Sequence, residues 1–302
     1  MRFAFIVTWI AALAVLPAGC GGAGGGAAKK ADGRIAVVTA IAPVGAFVER
    51  VGGESVAVTV LVPQGQAAET WQLLPRQMEA LDGAAVYFQI GLPFEEALVA
   101  RLRETAPSVR VADLREGLPL RAAEPCDHGG GDDHGHDHGH GGADPHVWLD
   151  PLLVKSMSAV IRRELAQASP GGGEAFAANQ AAFAVDLDRL HAKIAEMLAP
   201  VRGRVFYVFH PAFGYFADRY GLVMRAVEQG GKAPGARHMN EMAAEIRASG
   251  ARALFTQPQF STAEAGALAA QAGAAVVTLD DLAADYAANL ESIARALAEA
   301  LQ

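Results

Sequence analysis

Five histidines, His128, His134, His136, His138 and His140, are crowded between Cys126 and Ala143 with only glycine and aspartate around them. A tract with no apolar side chain cannot enter a core or hold a regular fold. Neutral imidazole is the commonest protein ligand for divalent transition metals, so the tract reads as a flexible, low-specificity metal-catching arm. The plain alternative is a solvated linker. At Asp144 the composition changes to Asp-Pro-His-Val-Trp-Leu-Asp-Pro, which sets His146 between two prolines and beside Trp148 and Leu149. A rigid imidazole next to an imidazole-rich arm points to a defined metal site. Cys126 opens the tract and is in reach to lend it a thiolate, but an unpaired surface thiol is the default reading.

Any further ligands must be brought to His146 by the fold. From Arg34 onward, short β-branched runs alternate with helical stretches. Strands are predicted at 35–39, 55–62, 85–90 and 109–112, with helices at 43–51, 76–81, 93–103 and 151–168. Strands separated by helices imply right-handed crossovers and mainly parallel sheets. The longest helix is predicted over 174–198, where Phe176, Phe183, Leu187, Leu190, Ile194 and Met197 draw one apolar stripe. After Pro200 the alternation resumes, with strands at 205–209, 222–227, 252–256 and 275–279. The helices there fall at 211–220, 240–248, 261–272 and 286–301, and Ser261 to Glu264 reads as a capping box. The predicted fold is α/β: two lobes, each a mainly parallel sheet flanked by helices, joined by one long rigid helix. The boundaries are 34–173 for the first lobe, 174–200 for the joining helix and 201–302 for the second.

In open α/β sheets, ligands bind beyond the carboxyl ends of the strands. Four ligand-type residues fall there. His210 follows strand 205–209, Asp280 follows strand 275–279, Glu69 lies in the loop after strand 55–62, and His146 lies in the rigid segment above. Taken singly, each has a dull explanation: Asp280 as a helix cap, Glu69 as a solvated loop charge, His210 as a satisfied buried imidazole. Together they predict a cleft between lobes in which one ion draws two side chains from each half. His191 reads as a packing or solvated histidine, and His238 as a helix-start residue. Glu228 could equally orient a ligand imidazole.

The ends of the chain and its composition fix the setting. Met1-Arg2, an apolar run from Phe3 to Leu16 and Pro17-Ala18-Gly19-Cys20 resemble a signal peptide (1–19) with a lipobox. Pro17 departs from the usual leucine there. Acylation of Cys20 would anchor the chain to a lipid bilayer through a flexible tether, 20–33. The remaining cysteine, Cys126, then has no intramolecular partner. A net charge of −8 argues against nucleic acid as a partner, and 52% hydrophobic residues fit a large core. A monomer in the periplasm or at the cell surface is expected.

The motifs 144–151, 209–222 (Phe-His-Pro-Ala-Phe-Gly-Tyr-Phe-Ala-Asp-Arg-Tyr-Gly-Leu), 228–234 and 279–286 resemble those of the ZnuA-like substrate-binding lipoproteins of zinc and manganese ABC importers. The resemblance spans essentially the whole mature chain. It implies two α/β lobes on one long helix, a divalent ion between them, and delivery of that ion to a membrane permease. It also implies that His146, His210 and Asp280 are ligands. The departure lies at the first ligand, where family members usually show Gly-x-x-Pro-His-x-Tyr-Glu-Pro. This chain reads Gly65-Gln-Ala-Ala-Glu69-Thr-Trp71-Gln-Leu, so Glu69 stands in the histidine's place.

A carboxylate hardens the site and improves the standing of Mn2+ or Fe2+, whereas two imidazoles and the arm favour Zn2+ as cargo. Two other classes remain open. One is a zinc hydrolase in which Glu69 is the general base; the other is a metal-storage lipoprotein or adhesin. The reference imidazole value of about 6.5 predicts weaker binding near pH 5–6.

Overall fold

The computed structural model describes residues 32–123, 142–228, 234–260 and 262–302. Cys20, Cys126, the five tract histidines and the Ser261 cap lie outside the described residues. The first half runs β1 (Ile35–Thr39), α1 (Ala42–Gly52), β2 (Val56–Val60), α2 (Pro75–Asp82), β3 (Val86–Gln89), α3 (Pro93–Thr105), β4 (Arg110–Asp113) and α4 (Pro151–Ala168). The second half follows α5 (Gly173–Leu198) with β5 (Val205–Val208), α6 (Gly214–Tyr220), β6 (Val223–Ala226), α7 (Ala236–Ser249), β7 (Ala253–Thr256), α8 (Thr262–Ala272), β8 (Ala275–Thr278) and α9 (Tyr286–Leu301).

Local chemistry explains several of these boundaries. Proline occupies the first turn of α1, α2, α3 and α4, where its missing N–H removes no helical bond. Asp150 caps α4 by accepting the N–H of Leu152 at 2.9 Å. Glu95, buried in the first turn of α3, accepts N–H bonds from Ile90, Gly91 and Leu92 and the Tyr87 hydroxyl at 2.5 Å. That carboxylate ties the end of β3 to the start of its own helix.

Both sheets are four-stranded and parallel, ordered β2-β1-β3-β4 and β6-β5-β7-β8. In each, the chain winds outward from the first strand and then crosses to its other side. The crossing opens a crevice at the carboxyl ends of the strands, the position where such sheets take ligands. The two halves therefore repeat one plan.

Helix α5, 26 residues and about 39 Å long at 1.5 Å per residue, joins them. Its buried stripe is Phe176, Phe183, Leu187, Leu190, Ile194 and Leu198. Met197, expected in the stripe, is only partly buried, and Leu198 takes its place. One face packs on α1 and α4 of the first half and on α9 of the second, so a single apolar cluster runs through both.

Two helix starts move by three residues or more. Helix α6 begins at Gly214 rather than at Pro211, because residues 210–213 form a turn in which Ala212 N–H bonds the His210 carbonyl at 2.9 Å. Helix α7 begins a turn early, at Ala236. There His238 sits in the first turn with its Nε2 2.9 Å from the Val227 carbonyl, a helix-start role that ties α7 to the end of β6. His191 stacks on Tyr220 with ring centroids 5.6 Å apart. No described helix is long and apolar enough to cross a membrane.

Candidate metal centre

Three of the four expected residues meet. One ligand atom from each of Glu69, His146 and His210 lies within 4.8 Å of the other two. Glu69 is presented by the irregular loop after β2. His146 sits at the start of a buried 3-10 turn (Val147–Leu149) that leads into α4, and His210 lies two residues beyond β5. The trio therefore spans both halves of the molecule.

The Nε2 atoms of His146 and His210 lie 3.2 and 3.6 Å from the same Glu69 oxygen, Oε1. Two ligands bonded at about 2.1 Å to one tetrahedral ion stand about 3.4 Å apart, so these spacings bracket that separation. Each ring is oriented from behind by a carboxylate. Asp144 Oδ1 lies 2.7 Å from His146 Nδ1, and Glu228 Oε2 lies 2.6 Å from His210 Nδ1. A carboxylate on the far nitrogen fixes the tautomer and aims Nε2 at the ion. His210 Nε2 is buried with no hydrogen-bond partner among the described residues. A buried polar atom of that kind is costly unless something binds it.

The electrostatics follow from this packing. Burial pulls the His146 imidazole down, but its hydrogen bonds to Asp144 and Glu69 outweigh burial and carry it up to about 10. His210 is likewise opposed by burial and carried up to about 9 by Glu228 and Glu69. Burial pushes the Glu69 carboxyl up, yet the hydrogen bond to His146 and the positive charge of both histidines hold it well below the usual carboxylate range. In the metal-free protein at neutral pH, one carboxylate thus sits between two imidazolium rings.

Asp280 does not join the cluster. Its carboxylate accepts the N–H of Leu282 at 2.9 Å, and it is only partly buried. The acid that faces the site is its neighbour, Asp281, which is 3% exposed. Burial pushes the Asp281 carboxyl up to about 6, and the charges of His146, Glu69 and His210 all reach it. Gln259 Nε2 donates to Asp281 Oδ1 at 3.2 Å. The reason for the shift is geometric. Strand β8 ends at Thr278, one residue short of expectation, and beyond it Leu279, Asp281 and Leu282 are buried while Asp280 between them is only partly so. A signal exists in the sequence, an Asp-Asp pair after an inward-facing leucine, but it does not say which aspartate turns in.

The wall of the site is apolar and rigid. Phe260 stacks on His210 at 4.6 Å, and Trp148 packs beside His146 at 5.1 Å between centroids. Trp148 is fully buried, donates its indole N–H to the Asp281 carbonyl at 2.7 Å, and its own carbonyl accepts the Tyr286 hydroxyl at 2.8 Å. It thus ties the segment bearing His146 to the opposite half. Trp148→Ala is expected to cost about 3–5 kcal/mol of folding stability, read as a lowered urea midpoint at unchanged slope.

Against known proteins, the family model described as "Zinc-uptake complex component A periplasmic" (ZnuA) matches residues 37–300. The chain belongs to the ZnuA family. A high-affinity zinc uptake system protein ZnuA from Yersinia pestis is 28% identical over 285 residues, which is 87% of this chain and 88% of that protein. A manganese-binding lipoprotein, MntA, from Halalkalibacterium halodurans is 30% identical over 225 residues, 73% of this chain and 68% of its own. A ZnuA crystal structure superposes with a TM-score of 0.82 at 34% identity, covering 89% of this chain and all (100%) of that one. The ZnuA-family architecture of two parallel sheets about one long helix is the fold found here.

Proposed function

We propose that this chain is an extracytoplasmic receptor that binds one divalent ion between its lobes and passes it to the permease of an ABC importer. Zinc is the favoured cargo, with manganese or iron as the alternative. The observation that carries this reading is the convergence of His146 Nε2 and His210 Nε2, from opposite halves, on one Glu69 oxygen. We take Glu69, His146 and His210 as ligands and Asp281, in place of Asp280, as the fourth. Residues 34–173 and 201–302 serve as the lobes on the helix 174–200, behind a signal peptide and a tether acylated at Cys20. The histidines from His128 to His140 raise the local concentration of metal or shield the cleft.

Imidazole nitrogen with carboxylate oxygen suits four-coordinate zinc, and two buttressed imidazoles keep that preference. Glu69 brings a second carboxylate to the site beside Asp281, which raises the relative standing of manganese. Metal content of protein purified without added metal, by elemental analysis, tests the assignment. One equivalent of zinc per chain is expected; sustained zinc-dependent hydrolysis in a turnover assay would overturn the receptor reading. In the Glu69→His variant the preference for zinc over manganese is expected to rise by roughly tenfold or more, measured by competition between the two ions.

A further inference from the structure

The residues just before and just after the His-rich tract are joined to each other and to the far lobe. Ala122 and Ala143 form an antiparallel bridge, and on either side of it stand Arg121 and Asp144. Asp144 is 4% exposed. One of its oxygens, Oδ1, holds His146 twice, at the backbone N–H (3.0 Å) and at ring Nδ1 (2.7 Å). Its other oxygen, Oδ2, faces Arg121 Nη1 at 3.5 Å. Arg121 continues across the cleft. Its Nε donates to Asp218 at 3.1 Å, and its backbone N–H donates to the Tyr215 hydroxyl at 2.8 Å, while that hydroxyl donates to the Asp144 carbonyl at 3.2 Å.

Tyr215 and Asp218 lie on α6, the helix that follows the turn bearing His210. The chain of contacts therefore runs from the ring of one ligand to the helix behind the other. An independent observation shows how closely these parts approach. A methyl group added at Gly214, the first residue of α6, would stand 2.5 Å from Arg121 Nη1 and 2.9 Å from Asp144 Oδ2. A larger residue there would force this pair or the helix to shift.

We propose that Arg121 is a positioning residue that ties approach of the second lobe to the orientation of the His146 ligand, and so sets how long a bound ion stays. The proposal rests on the receptor reading above. While α6 stays docked, Asp144 is held from one side by Arg121 and holds the imidazole from the other. When α6 withdraws, Arg121 loses Asp218 and Tyr215, and Asp144 loses its fixed neighbour.

The test is the rate at which zinc leaves the full mature chain into excess chelator, measured by stopped flow at fixed pH. Arg121→Ala and, separately, Gly214→Ala are each expected to release zinc about tenfold faster or more, the usual effect of removing a group that orients a metal ligand. Arg121→Lys is expected to recover part of that loss. Stoichiometry should stay at one tight ion, and the melting temperature of the metal-free protein should stay close to that of the unchanged chain. Unaltered release in both Arg121→Ala and Gly214→Ala would overturn the proposal while leaving the receptor intact. So would faster release that merely follows a fall in melting temperature and is not recovered by lysine. Absence of a tight site in the unchanged protein would instead remove the receptor reading itself.

Discussion

Zinc affinity is expected to fall by about 100- to 1,000-fold when His210 is replaced by alanine, whereas deletion of residues 127–142 should leave the tight site in place. The magnitude follows from dividing the roughly 10–16 kcal/mol of a four-ligand zinc site among its ligands, about 3 kcal/mol each. The real loss has two further sources. Glu228, only 9% exposed, is left without the ring it orients at 2.6 Å, and Glu69 loses one of the two positive partners that stabilise its ionised form. The arm can be removed without either consequence. Competition titration against a chromogenic chelator on both variants decides the matter. Comparable losses in the two would contradict the assignment of His210 as a ligand.

The second large effect is on pH. Metal binding requires both imidazoles neutral, yet in the metal-free protein His146 and His210 stand at about 10 and about 9. Between about pH 6.5 and 8 the incoming ion therefore displaces close to two protons. Apparent affinity should rise by nearly 100-fold per pH unit there, since each proton contributes 1.36 kcal/mol per unit. The reference imidazole value alone places the loss of binding near pH 5–6; the carboxylates behind and between the rings move it upward.

The metal-free protein has the opposite trend. A raised imidazole value contributes stability that is complete below the unfolded value of about 6.5 and is lost as pH climbs through 9 to 10. Glu69, held low, adds stability that is present above the ordinary glutamate value and lost as pH falls below it. Calorimetric titrations in buffers of different ionisation enthalpy measure the proton count. Release of fewer than one proton at pH 7.5 would contradict the paired-charge description of the site.

Much of this is legible in the amino-acid sequence itself. The strands stand out as short β-branched runs bounded by glycine and proline, and the helices by proline at their starts and by apolar stripes. The three residues that meet, Glu69, His146 and His210, follow from asking which imidazoles and carboxylates stand near the ends of the strands. The rest depends on tertiary facts that no local pattern encodes. Whether Asp280 or Asp281 turns inward is set by where β8 stops. That Asp144 returns to the ring two residues later, rather than capping a turn in solvent, depends on the buried setting given to it by Arg121 and Tyr215. Helix α6 loses its expected first turn because residues 210–213 instead form a turn closed by the Ala212 N–H on the His210 carbonyl.

The apolar cluster that passes through α5 has a final consequence. Phe176, Leu187 and Ile194 share one packed interior with strands of both sheets and with Leu290 and Leu297 of α9, while each half keeps a smaller apolar cluster of its own, around Leu61 and Tyr87 in the first and around Met242 and Leu254 in the second. The shared interior is the larger, so the two halves are expected to melt together as one cooperative body, although two copies of the same topology could each have been a folding unit. An ion gripped at the rim stabilises that whole body through mass action on the native state alone, so the far edges of both sheets share in the protection that cargo gives.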